Sequence, residues 1–448
     1  MRWKSLAPQQ LLSLHFAGVI LAGTLLLSLP IATESRRALP LIDAFFTSTS
    51  AVCVTGLIVI DTPNVLSTFG EVVLMLLIQA GGLGYMTIAT LIAVVLGKRI
   101  TLQERTTLQE ALNLYTREGL LRFAMNVVRM TALVELTAAA LLAARWSPEF
   151  GLGRAAYLGL FHAVSAFNNA GFSLFSDNLA GFRGDLAVNL VITTLIICGG
   201  LGFLVLSEVG HLKRRGSALS AHAKLTLAIT AILIVFGTAS IYLLEHGNQA
   251  TLGRLGAGEA WLAAYFQAVT PRTAGFNTIN IGAMTPPALA LLIALMFIGA
   301  SPGGTGGGIK TTTFGVAMAA LWASARGRGD PLIFKRRLAA DLVARAFAVS
   351  LAALLALGAI TWLLLVVERR DFLQTVFEST SAFGTVGLSM GVPGSVLSLV
   401  GSFSVAGKLL LALLMYFGRV GPLTIAVALA RGRPPARIRY TEAKILIG

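Results

Sequence analysis

Apolar stretches near the roughly 20 residues that carry a helix across a bilayer recur along the chain, among them Val72–Leu96, Leu186–Leu206 and Ala346–Val367. Between them lie shorter segments that run from an aromatic through small and hydroxyl residues to a glycine. They read Phe46-TSTSAVCVT-Gly56, Phe161-HAVSAFNNA-Gly171, Tyr265-FQAVTPRTA-Gly275 and Phe377-ESTSAFGTV-Gly387. Each glycine stands ten residues after the aromatic and is followed by a large apolar residue, Leu57, Phe172, Phe276 or Leu388. The glycines are 115, 104 and 112 residues apart, so the pattern predicts one unit of helix, short segment and helix present four times.

The predicted units are 1–97, with helices near 11–31 and 70–97; 98–212, with helices near 121–144 and 186–210; 213–325, near 222–244 and 285–324; and 326–448, near 341–367 and 403–430. The first stretch is longer than a signal-peptide core and lacks an A-x-A cleavage site, so it reads as a retained span. The segments before each glycine, 12–15 residues long, are too short to span and suit half-helices. Irregular backbone at membrane depth is tolerated only when buried in protein or lining a wet cavity. A single such segment would read as an ordinary exposed turn; four at one position predict a central polar pathway. The expected fold class is an all-α polytopic membrane protein, with four pseudo-fourfold helix–pore loop–helix repeats and eight transmembrane helices around an ion pathway.

Composition agrees. The chain is 56% hydrophobic and 12% charged, with a mean hydropathy of +0.79, which excludes a soluble enzyme. Its net charge of +15 could suggest nucleic acid, but 22 of the 35 Lys and Arg fall at the N-terminus and in Lys98–Arg122, Lys213–Lys224, Arg326–Arg345 and Arg431–Lys444. The last four segments follow every second span, which places them and both termini in the cytoplasm. Nucleic acid is therefore not expected as a partner; membrane lipid is. Cys53 and Cys198 lie far apart in apolar stretches and indicate neither a disulfide framework nor a transition-metal site. No arrangement of Ser, His, Asp, Cys or paired carboxylates is placed for catalysis, so no enzyme is expected.

A permeating cation must exchange its water for oxygens, which rings of backbone carbonyls supply without fixed charge. Glycine permits the backbone angles that aim successive carbonyls at one axis. The coordinating carbonyls are assigned to Val54, Thr55 and Gly56; Asn169, Ala170 and Gly171; Thr273, Ala274 and Gly275; and Thr385, Val386 and Gly387. Arg272, in the third loop, is expected to tie that loop down by hydrogen bonds to carbonyls or to Glu378. The second helices share Gly81-GL-Gly84, Gly199-GL-Gly202, Gly299-AS-Pro302 and Gly418-RV-Gly421. The small residues in the first two read as close helix packing. Arg419 interrupts the fourth, and an intramembrane arginine is a functional candidate by default.

The third copy departs further, as Gly299-ASPGGTGGGIKTT-Thr313. Proline and clustered glycines break the helix there. A phosphate-binding loop is excluded, since Lys310 follows Ile309 rather than glycine and no strand precedes the loop. Residues 300–310 are expected to form an intramembrane gate comprising Gly303, Gly304, Thr305, Gly306, Gly307 and Gly308, held by Lys310 and Arg419. Glu135 is expected to pair with a cation on another helix, with proton coupling as the alternative. His162 reads as a packed side chain.

The four loops, the Gly303–Lys310 stretch and Gly418-RVGPL-Thr424 resemble the Trk/Ktr/HKT superfamily of potassium transporters, over essentially the whole chain. With one span before the first loop, and Glu442-AKILI-Gly448 at the C-terminus, the chain looks closest to Ktr membrane subunits of the KtrB type. The resemblance implies potassium uptake across the cytoplasmic membrane through a channel-like pore, with K+ as permeant ion and no cofactor bound by this chain. It further implies a homodimer seated on a cytosolic KtrA-like nucleotide-binding regulatory ring. In sodium-preferring relatives the first filter position is serine, so Gly56 favours potassium. Ktr systems are often stimulated by Na+, though the sequence locates no sodium site. The alternative is a secondary symporter coupling potassium to H+ or Na+.

Overall fold

The computed structural model describes residues 8–84, 120–215, 219–327 and 329–421. The chain enters through α1 (Pro8–Leu27), turns into α2 (Leu41–Val52) and leaves through α3 (Thr68–Leu83). The order long helix, short helix, second helix recurs in α4 (Leu120–Phe150), α5 (Leu152–Phe167) and α6 (Leu186–Leu201), with α7 (Phe203–Arg215) beyond. It recurs in α8 (Ala221–Glu245), α9 (Ala257–Val269) and α10 (Pro286–Phe297), followed by α11 (Thr311–Ala325), and in α12 (Ala340–Glu368), α13 (Phe372–Gly384) and α14 (Val405–Val420). Among the described residues, the helical segments Phe123–Phe150, Ala221–Glu245 and Ala340–Glu368 are long and apolar enough to cross a membrane. The α6–α7 pair passes the same test as one bent element.

Polar caps set where three of the second helices begin. Ser67 accepts from Gly70 N, Asp185 from Ala187 and Val188 N, and Ser404 from Gly407 N, satisfying amides that a helix start leaves open. Each of these helices runs 16 residues and stops at a glycine of left-handed backbone: Gly84 (φ +76°), Gly202 (+92°) and Gly421 (+92°). The continuous helices expected over 70–97, 186–210 and 403–430 therefore end at Leu83, Leu201 and Val420. At Gly202 the axis turns by 105° into α7. Glycine alone adopts such angles cheaply, so the last residue of each of these three motifs is a helix breaker.

The packing role belongs to the first glycine. A Cβ built on Gly81 would overlap Val52 O, one on Gly199 would overlap Phe167 O, and one on Gly418 would overlap Phe383 O. The second helices thus press against the ends of α2, α5 and α13 at a separation that admits no side chain. α5, at 16 residues, is slightly longer than expected for a half-helix. A two-residue hairpin, Leu332–Ile333 paired with Arg336–Arg337, interrupts the all-helical expectation within the basic segment 326–345, with Phe334 and Lys335 left-handed at its turn. The expectations for 85–97, for most of the basic segment 98–122 and for 422–448 lie outside the described residues.

Candidate ion pathway

The four glycines close a ring. A Cβ on Gly56 would overlap Ala170 O and lie 3.1 Å from Gly171 Cα. One on Gly171 would lie 2.7 Å from Ala274 O and 3.0 Å from Gly275 Cα. One on Gly275 would overlap Val386 O, and one on Gly387 would overlap Thr55 O and lie 3.0 Å from Gly56 Cα. All four glycines are left-handed (φ +91°, +71°, +75° and +91°), and so is the residue two before each: Val54 (+52°), Asn169 (+59°), Thr273 (+72°) and Thr385 (+50°). A non-glycine residue held there costs about 1–3 kcal/mol and persists only where its surroundings over-determine it. Here the surroundings are tight: all twelve residues assigned to the filter are buried.

A hydroxyl at the end of each short helix anchors its loop. Ser50 Oγ accepts from Gly56 N at 3.1 Å and Ser381 Oγ from Gly387 N at 3.0 Å. Ser165 Oγ donates to Phe172 O at 2.7 Å and Thr270 Oγ1 to Phe276 O at 2.6 Å. The third loop is one residue shorter. Thr55, Ala170 and Val386 donate their N–H to the carbonyl five residues back, whereas Ala274 donates to Thr270, four back. The buried aromatic of that unit is accordingly Phe266, nine residues before its glycine. Tyr265, singled out from the sequence, is only partly buried and reaches Thr193 at 3.3 Å.

Loops two and three are stitched together by Asn169 Nδ2, which donates to Arg272 O and Thr273 Oγ1, both at 3.2 Å. The expected pairing of Arg272 with Glu378 is absent. Glu378 instead accepts from Ser389 Oγ (2.7 Å) and Val400 N (3.0 Å), and neither terminal nitrogen of the buried Arg272 meets a hydrogen-bond partner among the described residues. On one side of the ring lies a cavity of about 310 Å³, lined by the four glycines together with Asp61, Asp177, Asn178, Asn277 and Ser389, and among the described residues by no lysine or arginine.

The glycine-rich excursion between α10 and α11 lies against the same loops. Its neck is closed by Gly299 N donating to Ile309 O at 2.9 Å and Ala300 N to Gly307 O at 3.2 Å. Gly303 (φ +71°) and Gly308 (φ +66°) turn the chain. Ser301 N and Thr305 N donate to Gly200 O and Gly199 O, while Thr305 Oγ1 reaches Phe167 O at 3.1 Å. Gly307 N donates to Thr385 Oγ1 at 3.0 Å, and Gly306 faces Thr273 so closely that a Cβ would overlap its hydroxyl. Lys310 Nζ donates back to Gly306 O at 2.7 Å. Arg419 donates through Nη1 to Thr305 O and through Nη2 to Gly81 O. Two backbone surfaces, on the excursion and on α3, are thereby held by one planar guanidinium.

Glu135 departs from expectation, since no cation on another helix pairs with it among the described residues. It receives amides instead, from Gln79 at 3.3 Å and Asn168 at 3.0 Å, two residues the sequence gave no reason to group. His162 is a packed side chain, stacked on Phe175 and bonded to Leu158 O and Ser173 Oγ.

A family model described as TrkH, cation transport protein, matches residues 14–438. The chain is 43% identical over 447 residues to a protein of Bacillus subtilis named Ktr system potassium uptake protein B, covering 100% of this chain and 98% of that one. It is 35% identical over 451 residues to the potassium/sodium uptake protein NtpJ of Enterococcus hirae, covering 99% and 98%. The crystal structure of the potassium transporter TrkH from Vibrio parahaemolyticus superposes with a TM-score of 0.75 at 20% identity, over 96% of this chain and 86% of that one, a likeness of fold.

Proposed function

The chain belongs to the TrkH family of cation transport proteins, and on that premise we propose that it is the membrane subunit of a Ktr-type system that takes up potassium through a channel-like pore. Members of this family are multi-pass membrane transporters rather than enzymes. The observation that carries the reading is the closed ring of Gly56, Gly171, Gly275 and Gly387, with a cavity bearing carboxylates on one side and a glycine-rich excursion packed against its loops. In this reading the carbonyls of Val54, Thr55 and Gly56, with their counterparts 169–171, 273–275 and 385–387, replace the water of a potassium ion. The short helices end at the ring and direct their negative dipole ends towards the cation.

The excursion from Gly303 to Gly308 is the gate, held closed by Lys310 and Arg419. The units 1–97, 98–212, 213–325 and 326–448 are four pseudosymmetric repeats supplying eight spans, with both termini in the cytoplasm. The assembly is a homodimer on a cytosolic KtrA-like nucleotide-binding ring; the B. subtilis relative's membership of a Ktr system supports that partner. A second reading, symport with Na+ or H+, is supported by the relative named for both potassium and sodium. Rubidium uptake by proteoliposomes under an imposed voltage separates the two. Flux that needs neither Na+ nor a proton gradient establishes the channel; flux that follows either gradient with a fixed stoichiometry replaces it by symport.

A further inference from the structure

Glu135, on α4, is 6% exposed and receives no ion pair among the described residues. Its surroundings are rich in oxygen. Asn168 Nδ2, at the end of α5, donates to Oε1 at 3.0 Å, and Gln79 Nε2, on α3, to Oε2 at 3.3 Å. The same Asn168 Nδ2 also lies 2.8 Å from Gln79 Oε1 and 2.8 Å from Val164 O, so two hydrogens face three acceptors. Asn168 Oδ1, fully buried, has no donor among the described residues. Two carboxylate oxygens, the Gln79 amide oxygen and a backbone carbonyl thus compete for the hydrogens of two amide groups, while Asn168 Oδ1 lies against Gly82. The C-terminal end of α5 adds its partial negative charge. An uncompensated carboxylate at membrane depth is expensive, and among the described residues no positive charge pairs with this one.

We propose that Glu135, Gln79 and Asn168 form a monovalent-cation site beside the pore loops, in which the carboxylate is neutralised by a proton or by Na+. The site is placed to act on both parts of the pathway. Asn168 precedes Asn169, which stitches loop two to loop three. Gln79 lies two residues before Gly81, whose carbonyl accepts from Arg419, and the side chain of Asn168 fills the space where Gly82 would carry a Cβ. Glu135 is therefore a positioning residue for the ring and for the Arg419 contact.

Among the described residues, the other charged, histidine and tyrosine side chains on the surrounding elements are engaged elsewhere or exposed. Tyr157 of α5 bonds Glu71 of α3, His162 bonds Leu158 O and Ser173, and Arg145 of α4 pairs with Asp185. Arg129, Glu149 and Arg154 are exposed, and within Leu186–Leu201 the one titratable side chain is Cys198.

The test is thermal unfolding of the full chain in detergent, in Na+, in K+ and in an organic cation replacing both, at acidic and at alkaline pH. The expected result is a midpoint raised by several degrees by Na+ at fixed pH, or by acid without Na+, the first identifying sodium and the second the proton. Glu135→Gln is expected to lose that dependence. Glu135→Asp, which keeps the carboxylate, is expected to retain it at a several-fold higher Na+ or proton concentration, and it carries the test if the Gln variant does not fold. A wild-type midpoint that neither Na+ nor pH moves, or the same dependence in Glu135→Gln, overturns the proposal. The unfolding assay does not depend on the pore reading; rubidium uptake tests that reading separately.

Discussion

Arg419, on α14, donates to the carbonyl of Thr305, 114 residues earlier in the chain, and with its second terminal nitrogen to Gly81 O of α3. The guanidinium thus joins an irregular segment to a regular helix and adds to the segment's own contacts with Gly199, Gly200, Phe167 and Thr385. A hydrogen bond from a charged donor contributes about 1.5–3 kcal/mol.

Replacing Arg419 with Ala is expected to raise basal rubidium flux in proteoliposomes by about 10–100-fold, the shift that 1.4–2.8 kcal/mol produces in a two-state equilibrium. Replacement with Lys keeps the charge but loses the planar fork, and should fall between Ala and wild type. Flux at the wild-type level in both variants would remove Arg419 from gating.

Deleting residues within Gly303–Gly308 removes the segment that covers Thr273 and Thr385. Basal flux should rise with potassium preference retained, since no filter residue is lost. Stopped-flow or isotope uptake on the deletion variant reads this directly. An unaltered flux would reduce the excursion to a kink in the fold.

Gly56→Ser introduces a Cβ at φ +91° against Ala170 O. The strain of about 1–3 kcal/mol falls on one quarter of the ring. The expected outcome is a several-fold fall in the potassium-to-sodium permeability ratio from reversal potentials or competition uptake, with some loss of thermal stability. Selectivity equal to wild type would count against the filter assignment.

Gly199→Ala and Gly18→Ala separate packing from propensity. The first drives a methyl into Phe167 O, and overpacking of this kind costs about 1–3 kcal/mol. The second adds a methyl where nothing lies within 4 Å, and should be neutral or stabilising by up to about 1 kcal/mol through helix propensity. Unfolding midpoints of the full-length variants should therefore move in opposite directions, or the second not at all.

The ring loops were legible because one position in each is both left-handed and pressed against the next loop's carbonyl, and glycine recurs there. The register of loop three was not, because Tyr265 and Phe266 are adjacent aromatics and only burial distinguishes them. The small-residue motifs announced close packing, yet their last glycines end the helices, and nothing local separates the two uses before Gly84, Gly202 and Gly421 are seen to be left-handed. The pairing of Arg272 with Glu378 followed from charge alone; in the fold Glu378 is occupied by Ser389 and Val400 N. The cluster of Gln79, Glu135 and Asn168 joins three helices across 89 residues of sequence and leaves no local trace.

The acceptors of Arg419, at Thr305, Gly81 and Gly82, are all peptide oxygens, which every amino acid supplies. Substitution at Thr305 or Gly81 can reshape that contact but cannot delete its acceptors. At this contact, sequence variation acts through the arginine side chain alone, while the backbone it grips persists under any substitution.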